Sequence, residues 1–501
     1  MTPAPTLAKP TPVPDNARRF IKNACFVGGE WIAARDGRRF PVTDPSSGAV
    51  IAEVPRTGAD ETRAAIESAK VALAGWRSRT ANDRAKILTA WASLMLDNID
   101  ALATLLTVEQ GKPVAESQAE IRYAAAFLQW FGEEGKRVYG EIIPPHTVDN
   151  RILVTKEPVG VCAAITPWNF PSAMVTRKAA PALAAGCTVV LKPAEDTPLS
   201  ALAIADLSVA AGVPPGVFNV VTGTKADAAI IGAEMTSNPI VRKVAFTGST
   251  AVGKLLMSQC AGTLKRLSLE LGGNAPFIVF EDADFEMALN GLMTCKYRNT
   301  GQTCISANRI LVQSSIYDRF VGELVARAQT LVVGNGLDPK VNQGPLITSA
   351  AIAKVERHIA DAVDRGAEVV VGGNRHARGS SFFEPTVLVN IDQTMAMTNE
   401  ETFGPVAGIM RFDDEDEAIE IANATPYGLA SYFYTRDLAR SWRVGDELES
   451  GIVGVNTGFI STEVAPFGGM KESGMGREGS HHGIDEFLEI KYRCIGGVTR
   501  Q

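Results

Sequence analysis

Between Gly160 and Gly273, short apolar runs alternate with alanine-rich segments of helical period. The runs cover 161–165, 188–191, 217–221 and 244–247, so a new one starts roughly every 25–30 residues. That spacing leaves room for one crossover helix between successive strands. Strands this apolar are buried on both faces, and right-handed βαβ units achieve that by placing helices on either side of a parallel sheet. The region is therefore α/β, with its loops gathered at the carboxyl ends of the strands, where such sheets bind ligands.

The rest of the chain is read against this sheet. Ile66, Ala69, Leu73 and Trp76 recur at helical spacing, with Asp60 placed to cap the first turn. Further helical regions run over about 82–107 and 115–139. Beyond Gly273 a second α/β pattern begins, with a strand at 276–280, a helix near 284–298, a strand at 309–312 and more units to about Gly454. In the tail Leu488, Ile490, Tyr492 and Cys494 alternate with Glu489, Lys491 and Arg493. Such a strand needs a partner edge, either within its own chain or across a subunit interface.

Composition removes several classes of function. Lys and Arg number 49 against 56 Asp and Glu, a net charge of −7, which argues against nucleic acid or an anionic membrane as partner. No stretch approaches the length of a membrane-spanning helix. The seven cysteines are odd in number and never in C-x-x-C, and the five histidines never form H-E-x-x-H. Neither a disulfide framework nor a metal site is expected. The first fourteen residues hold five prolines, no arginine and no apolar core. Residues 1–18 are expected to be a flexible arm on a cytoplasmic protein.

Five segments carry groups capable of chemistry. Asn299-Thr300-Gly301-Gln302-Thr303-Cys304-Ile305-Ser306 sets one thiol behind a glycine-containing turn. By itself Cys304 reads as a nucleophile or as a small buried hydrophobe. Glu270-Leu271-Gly272-Gly273 ends the fifth candidate strand, and Glu270 is a general base or an ordinary strand-end acid. Thr166-Pro167-Trp168-Asn169-Phe170-Pro171 follows the first strand; the Asn169 amide is the type of donor an oxyanion hole uses. Lys192-Pro193-Ala194-Glu195 occupies the matching place after the second strand. Phe246 to Leu255 joins a strand to a helix through Gly248 and Ser249, so a helix N-terminus could face a pyrophosphate. The same loop nearly matches G-x-x-x-x-G-K-[ST], which keeps a nucleoside triphosphatase as a rival class. Leu255, however, replaces the hydroxyl that would hold Mg²⁺.

Taken together and in this order, these segments, with Glu400-Glu401-Thr402-Phe403-Gly404-Pro405 and Pro466-Phe467-Gly468-Gly469, resemble the aldehyde dehydrogenase superfamily from about Ala24 to Cys494. The resemblance implies a Rossmann-like cofactor domain (19–140 and 160–271), a catalytic domain (272–454) and a small β extension for oligomerisation (141–159 and 486–501). Residues 455–485 would return to the cofactor domain and the substrate loop. It implies that Cys304 is the nucleophile, Asn169 the oxyanion donor and Glu270 the base for thioester hydrolysis, with Lys178 and Glu478 relaying its protons. Thr166, Pro167, Trp168, Lys192, Glu195, Gly248, Ser249, Glu401 and Phe403 would hold the cofactor. A carboxylate at position 195 disfavours a 2′-phosphate, so NAD is expected ahead of NADP. Self-association to a dimer or tetramer is implied as well, and with it a subunit interface as the expected partner edge of the alternating tail strand.

Within the superfamily, Val175-Thr176-Arg177-Lys178, Lys296-Tyr297-Arg298-Asn299, Gly458-Phe459-Ile460-Ser461 and Gly476-Arg477-Glu478-Gly479-Ser480 are similar to succinic semialdehyde dehydrogenases. Arg177, Arg298 and Ser461 would then grip the distal carboxylate, with Phe467 beside them. Glutarate semialdehyde, one methylene longer, and uncharged aldehydes stay open. Some members of that subfamily carry a second cysteine two residues after the nucleophile. Ser306 stands there in this chain, so no disulfide switch is expected.

Overall fold

The computed structural model describes residues 13–498. Its first sheet has eight strands in the order Glu30–Ile32, Cys25–Val27, Phe218–Val220, Thr188–Lys192, Val161–Ile165, Val241–Thr247, Arg266–Glu270 and Gly474–Met475. The five from Phe218–Val220 to Arg266–Glu270 are parallel; Cys25–Val27 and Gly474–Met475 pair antiparallel with the two ends of this block, and Glu30–Ile32 pairs antiparallel with Cys25–Val27. Val161–Ile165 lies centrally, so the chain switches sides between Thr188–Lys192 and Val241–Thr247. Crevices open at the carboxyl ends of the strands flanking such a switch point.

A second sheet of seven strands has the order Glu368–Val371, Thr386–Val389, Val406–Phe412, Ala307–Gln313, Ala275–Val279, Ala430–Tyr434 and Ile452–Val455. All its pairings are parallel except that of Glu368–Val371. The loops leaving the carboxyl ends of the first sheet lead through Gly272 and Gly273 into the amino end of Ala275–Val279. Cys304 enters the same level from Ala307–Gln313, and Glu401 from Val406–Phe412. One sheet's carboxyl ends thus face the other's amino ends.

The tail strand Leu488–Ile495 pairs within its own chain, running antiparallel to Arg151–Pro158 from Leu488↔Pro158 to Ile495↔Arg151. Glu141–Ile143 completes this three-stranded sheet. Ile142, Ile490, Tyr492 and Ile495 remain exposed on it.

Three expectations need correction. Asp60 does not cap its helix, which spans Ala59–Arg77 with Gly58 at the N-cap. Glu61 instead reaches back to the N-cap, accepting from Gly58 N–H at 3.0 Å, and ties the helix start to another segment by accepting from Arg35 N–H at 2.8 Å. The helical region near 82–107 is two helices, Ala81–Asp97 and Ile99–Gln110, broken at Asn98, whose side chain donates to the Leu94 carbonyl at 2.7 Å. Of the expected arm, residues 1–12 lie outside the described residues. Asp15–Arg18 is a short helix with Val13 and Ala17 buried, because those two apolar side chains join the main core.

Among the described residues no helix is long and apolar enough to cross a membrane.

Replacing Glu61 with Ala should cost about 1 kcal/mol, read as a lower urea midpoint. The hydrogen bonds to Glu61 hold its carboxyl below the usual range. Its contribution is therefore present above the ordinary carboxylate range and fades as pH falls through the lowered value.

Candidate active site

Helix Phe285–Tyr297 starts at Asp284, whose carboxylate accepts from Met287 N–H at 3.0 Å. It ends at Arg298, and the chain then turns through Asn299 (φ 51°), Thr300 (φ 58°) and Gly301 (φ 73°). Three successive left-handed residues are strained unless their surroundings fix them. Here they are fixed. Asn299 Nδ2 donates to the carbonyls of Asn169 at 3.0 Å and Gln302 at 3.2 Å, and its Oδ1 accepts from Gln110 at 3.1 Å. Gln302 Oε1 accepts from Ile347 N–H at 3.0 Å. A Cβ at Gly301 would lie 2.2 Å from the Gly404 carbonyl oxygen, so only glycine fits. Cys304 follows, half-buried, on a loop with little freedom.

The Asn169 loop is tied to this one from the other side. Asn169 Nδ2 donates to the Gln302 carbonyl at 3.1 Å, and the Asn169 carbonyl accepts from Lys112 Nζ at 2.7 Å. Lys112 is fully buried, sits 3.9 Å over the Phe170 ring and pairs with Glu120 at 2.5 Å. The other Glu120 oxygen accepts from Ser172 N–H at 2.9 Å and Ala173 N–H at 3.3 Å. One buried ion pair therefore secures the Asn169 loop and the start of helix Ala173–Ala185, which carries Arg177 and Lys178.

Two cavities meet at Cys304. One, of about 360 Å³, is lined by Trp168, Asn169, Gly248, Ser249, Glu401 and Phe403 among others. The second, of about 290 Å³, is lined by Arg177, Arg298, Ser461, Phe467, Tyr123 and Glu116 among others. Cys304 lines both, so its sulfur can be approached from either side. In the second cavity Arg177 Nε lies 2.7 Å from Glu478, out of line for a hydrogen bond, and its buried Nη2 has no partner. The guanidinium rests 3.7 Å over the Phe467 ring. Arg298 lies between Phe459 at 5.0 Å and Phe170 at 5.5 Å.

Glu270 is buried, and neither of its carboxylate oxygens has a hydrogen-bond partner. Burial, reinforced by the Glu478 charge, raises it well above the usual carboxylate range, against the opposing pull of Arg177 and Lys178. Lys178 Nζ bridges Glu478 and the Thr247 hydroxyl. The Cys304 thiol is pushed up to about 12, mainly by burial and then by Glu401, with Arg177 opposing. Burial thus favours the protonated form of both groups.

On the first-cavity side, Ser249 caps helix Thr250–Cys260 by accepting from Val252 N–H, so the helix N-terminus opens on the cavity. A Cβ on Gly248 would meet the Phe246 ring at 2.4 Å, and Gly248 N–H donates to the Glu270 carbonyl at 3.0 Å. Glu401 accepts from Gly273 N–H at 3.2 Å and is pushed up to about 7 by burial. Phe403 (φ 57°) meets Trp168 edge-on at 5.5 Å. Lys192, Glu195 and Thr166 sit at the neighbouring strand ends, with Lys192 3.4 Å from Glu195 and the Thr166 hydroxyl buried without a partner. A capped helix end, an acid with one oxygen unengaged and an orphaned hydroxyl fit a dinucleotide. The triphosphatase reading fails here. Lys254 does not turn back into the loop but pairs with Glu472 on the surface at 2.7 Å.

The aldehyde dehydrogenase family model matches residues 31–492. The chain belongs to that family. It is 58% identical over 480 residues to a glutarate-semialdehyde dehydrogenase of Pseudomonas aeruginosa, covering 96% of this chain and 99% of that protein. It is 57% identical over 481 residues to an NADP(+) succinate-semialdehyde dehydrogenase of Escherichia coli K12, covering 96% and 99%. The crystal structure of succinate-semialdehyde dehydrogenase from Burkholderia pseudomallei superposes with a TM-score of 0.94 at 56% identity, covering 95% of this chain and 98% of that one. The reaction is the NAD(P)-dependent oxidation of an aldehyde.

The fold brings Cys304, Asn169, Arg177, Arg298, Ser461 and Phe467 around the two cavities, and links Glu270 to Lys178 through Glu478 and its charge. Sequence reading missed Lys112, Glu116, Glu120 and Tyr123. Glu116, Glu120 and Tyr123 recur at spacings of four and three on helix Val114–Glu134, a polar stripe that a helical-wheel count would have flagged.

Lys112→Met would strand a buried carboxylate and should destabilise by about 3–5 kcal/mol. We expect kcat to fall as the Asn169 loop loosens. Combining Lys112→Met with Glu120→Gln should recover part of the urea midpoint.

Proposed function

We propose that the enzyme oxidises succinate semialdehyde to succinate, with Arg177, Arg298 and Ser461 holding the distal carboxylate. The observation that carries this reading is the second cavity, where two arginines line a space that ends at the sulfur. The charges support it. Glu478 faces both Arg177 and Lys178, and Glu120 is paired with Lys112, so the cluster keeps an excess positive charge even with Glu116 set against Arg298. An anion restores the balance.

In this reading the Cys304 thiol gives its proton to water and the resulting thiolate attacks the aldehyde carbon. The second Asn169 amide N–H and the Cys304 backbone N–H receive the oxyanion, each worth about 3–4 kcal/mol. The nicotinamide, when bound beside Glu401 and Phe403, supplies the hydride acceptor. The acyl group rests on Cys304 as a thioester, and Glu270 takes a proton from the water that hydrolyses it. Lys178 and Glu478 lead that proton away. Because Glu270 is raised, it must lose its own proton first, so deacylation quickens as pH rises through its elevated value.

Glutarate semialdehyde is a second reading, favoured by the name of the Pseudomonas aeruginosa relative. A methylene shifts discrimination by only about 1–3 kcal/mol. For the cofactor we infer a preference for NAD, supported by the Glu195 carboxylate beside Lys192. The exposed Ile490 and Tyr492 on the three-stranded sheet support self-association through it to a dimer or tetramer.

A panel of succinate semialdehyde, glutarate semialdehyde and propanal, each with NAD and NADP, tests the reading. Arg298→Ala should lower the kcat/KM ratio of succinate semialdehyde to propanal by about 30-fold or more. An unchanged ratio rejects the carboxylate grip. Glu270→Gln should keep a first-turnover burst of reduced cofactor while the steady state falls about 10²–10⁴-fold; a preserved steady state reassigns the base.

A further inference from the structure

The substrate-side cavity holds a donor that the proposed carboxylate grip does not use. Tyr123 lines it together with Arg177 and Arg298, and the Tyr123 hydroxyl is buried with no hydrogen-bond partner. Its ring packs against Phe127 at 4.7 Å, and the Arg177 guanidinium lies 5.8 Å over that same Phe127 ring. The phenol and the guanidinium therefore share one aromatic seat. The orphaned Nη2 of Arg177 belongs to the same group.

The acids of this cavity, by contrast, have partners. Glu120 is committed to Lys112, Ser172 and Ala173, and Glu116 accepts from Asn299 N–H at 2.8 Å. A buried hydroxyl left unpaired weakens the folded state, and folded proteins pair nearly all such groups. Where they do not, the partner commonly arrives with a ligand. Burial raises the Tyr123 phenol above its ordinary range despite the pull of Arg177 and Arg298, so it stays a neutral O–H donor. An incoming carboxylate accepts hydrogen bonds and offers none, which is the complement of two guanidinium groups and one phenol.

We propose that Tyr123 is a specificity-determining residue whose hydroxyl donates to the distal carboxylate of the aldehyde, on the side of the anion shared with Arg177. This rests on the carboxylate grip stated under the proposed function. The hydroxyl contributes to substrate choice at the expense of the free enzyme's stability.

Tyr123→Phe removes one oxygen and keeps the ring. The kcat/KM ratio of succinate semialdehyde to propanal should fall about tenfold. The thermal midpoint of the free enzyme should hold or rise. A lowered midpoint would make the hydroxyl structural and overturn the proposal. So would an unchanged ratio in Tyr123→Phe alongside a reduced one in Arg298→Ala, which would leave the grip standing without Tyr123. Should neither variant change the ratio, the grip itself is wrong and this assignment falls with it.

Discussion

The arrangement around the sulfur depends on one carbonyl oxygen. The Asn169 carbonyl accepts from a buried ammonium, Lys112, and from the side chain of Asn299 on the nucleophile loop. The first contact comes from the loop between helices Ile99–Gln110 and Val114–Glu134, the second from the loop entering the second sheet. Asn169 Nδ2 closes the connection by donating to Gln302. Two loops from different sheets are thereby held at fixed spacing, which the proposed roles of Cys304 and Asn169 require. The ion pair behind it is dry, and its Coulomb attraction must outweigh heavy desolvation. That is tolerable because Glu120 also satisfies two backbone amides at the start of the next helix.

A second constraint is electrostatic. Glu478 meets Lys178 on one oxygen and Arg177 on the other, while its charge lifts Glu270. The same carboxylate therefore helps hold Arg177 and adds to the effect of burial on the proton affinity of Glu270. It reaches this position through the Phe467–Glu478 bridge, whose two backbone bonds of 2.7 and 2.8 Å join the loop bearing Ser461 and Phe467 to it. The lining of the second cavity and Glu270 are consequently parts of one connected network.

Much of this was legible in the sequence. The spacing of apolar runs marks the parallel sheet, because strands buried on both faces have few other solutions, and the motifs at their carboxyl ends mark Asn169, Lys192 and Ser249. The residues that lay hidden act across long separations. Lys112 lies 57 residues from the carbonyl it holds, and Gln110 lies 189 from Asn299. No local pattern encodes such pairs. Asp60 is not the cap because Gly58 takes that place one residue before the helix, and Glu61 folds back onto the Gly58 amide while its other oxygen engages Arg35, 26 residues away. Lys254 resembled a phosphate ligand only until its surface partner, Glu472, was placed.

The aromatic surroundings of the two arginines bear on what the cavity can select. Arg177 lies against Phe467 and Phe127, and Arg298 between Phe459 and Phe170. Ring faces replace part of the water that a guanidinium loses, and they add to what Glu478 supplies to Arg177 and Glu116 to Arg298, so both cations can be held in an apolar space. A lysine would need stronger solvation and would offer no planar fork. The result is a pocket whose walls are mostly carbon yet which leaves donors unsatisfied. An uncharged aldehyde entering it buries apolar surface but leaves Arg177 Nη2 and the Tyr123 hydroxyl unpaired. Under the proposed grip a carboxylated one satisfies them. Discrimination would then draw on the cost of leaving those groups empty as well as on attraction in the bound state.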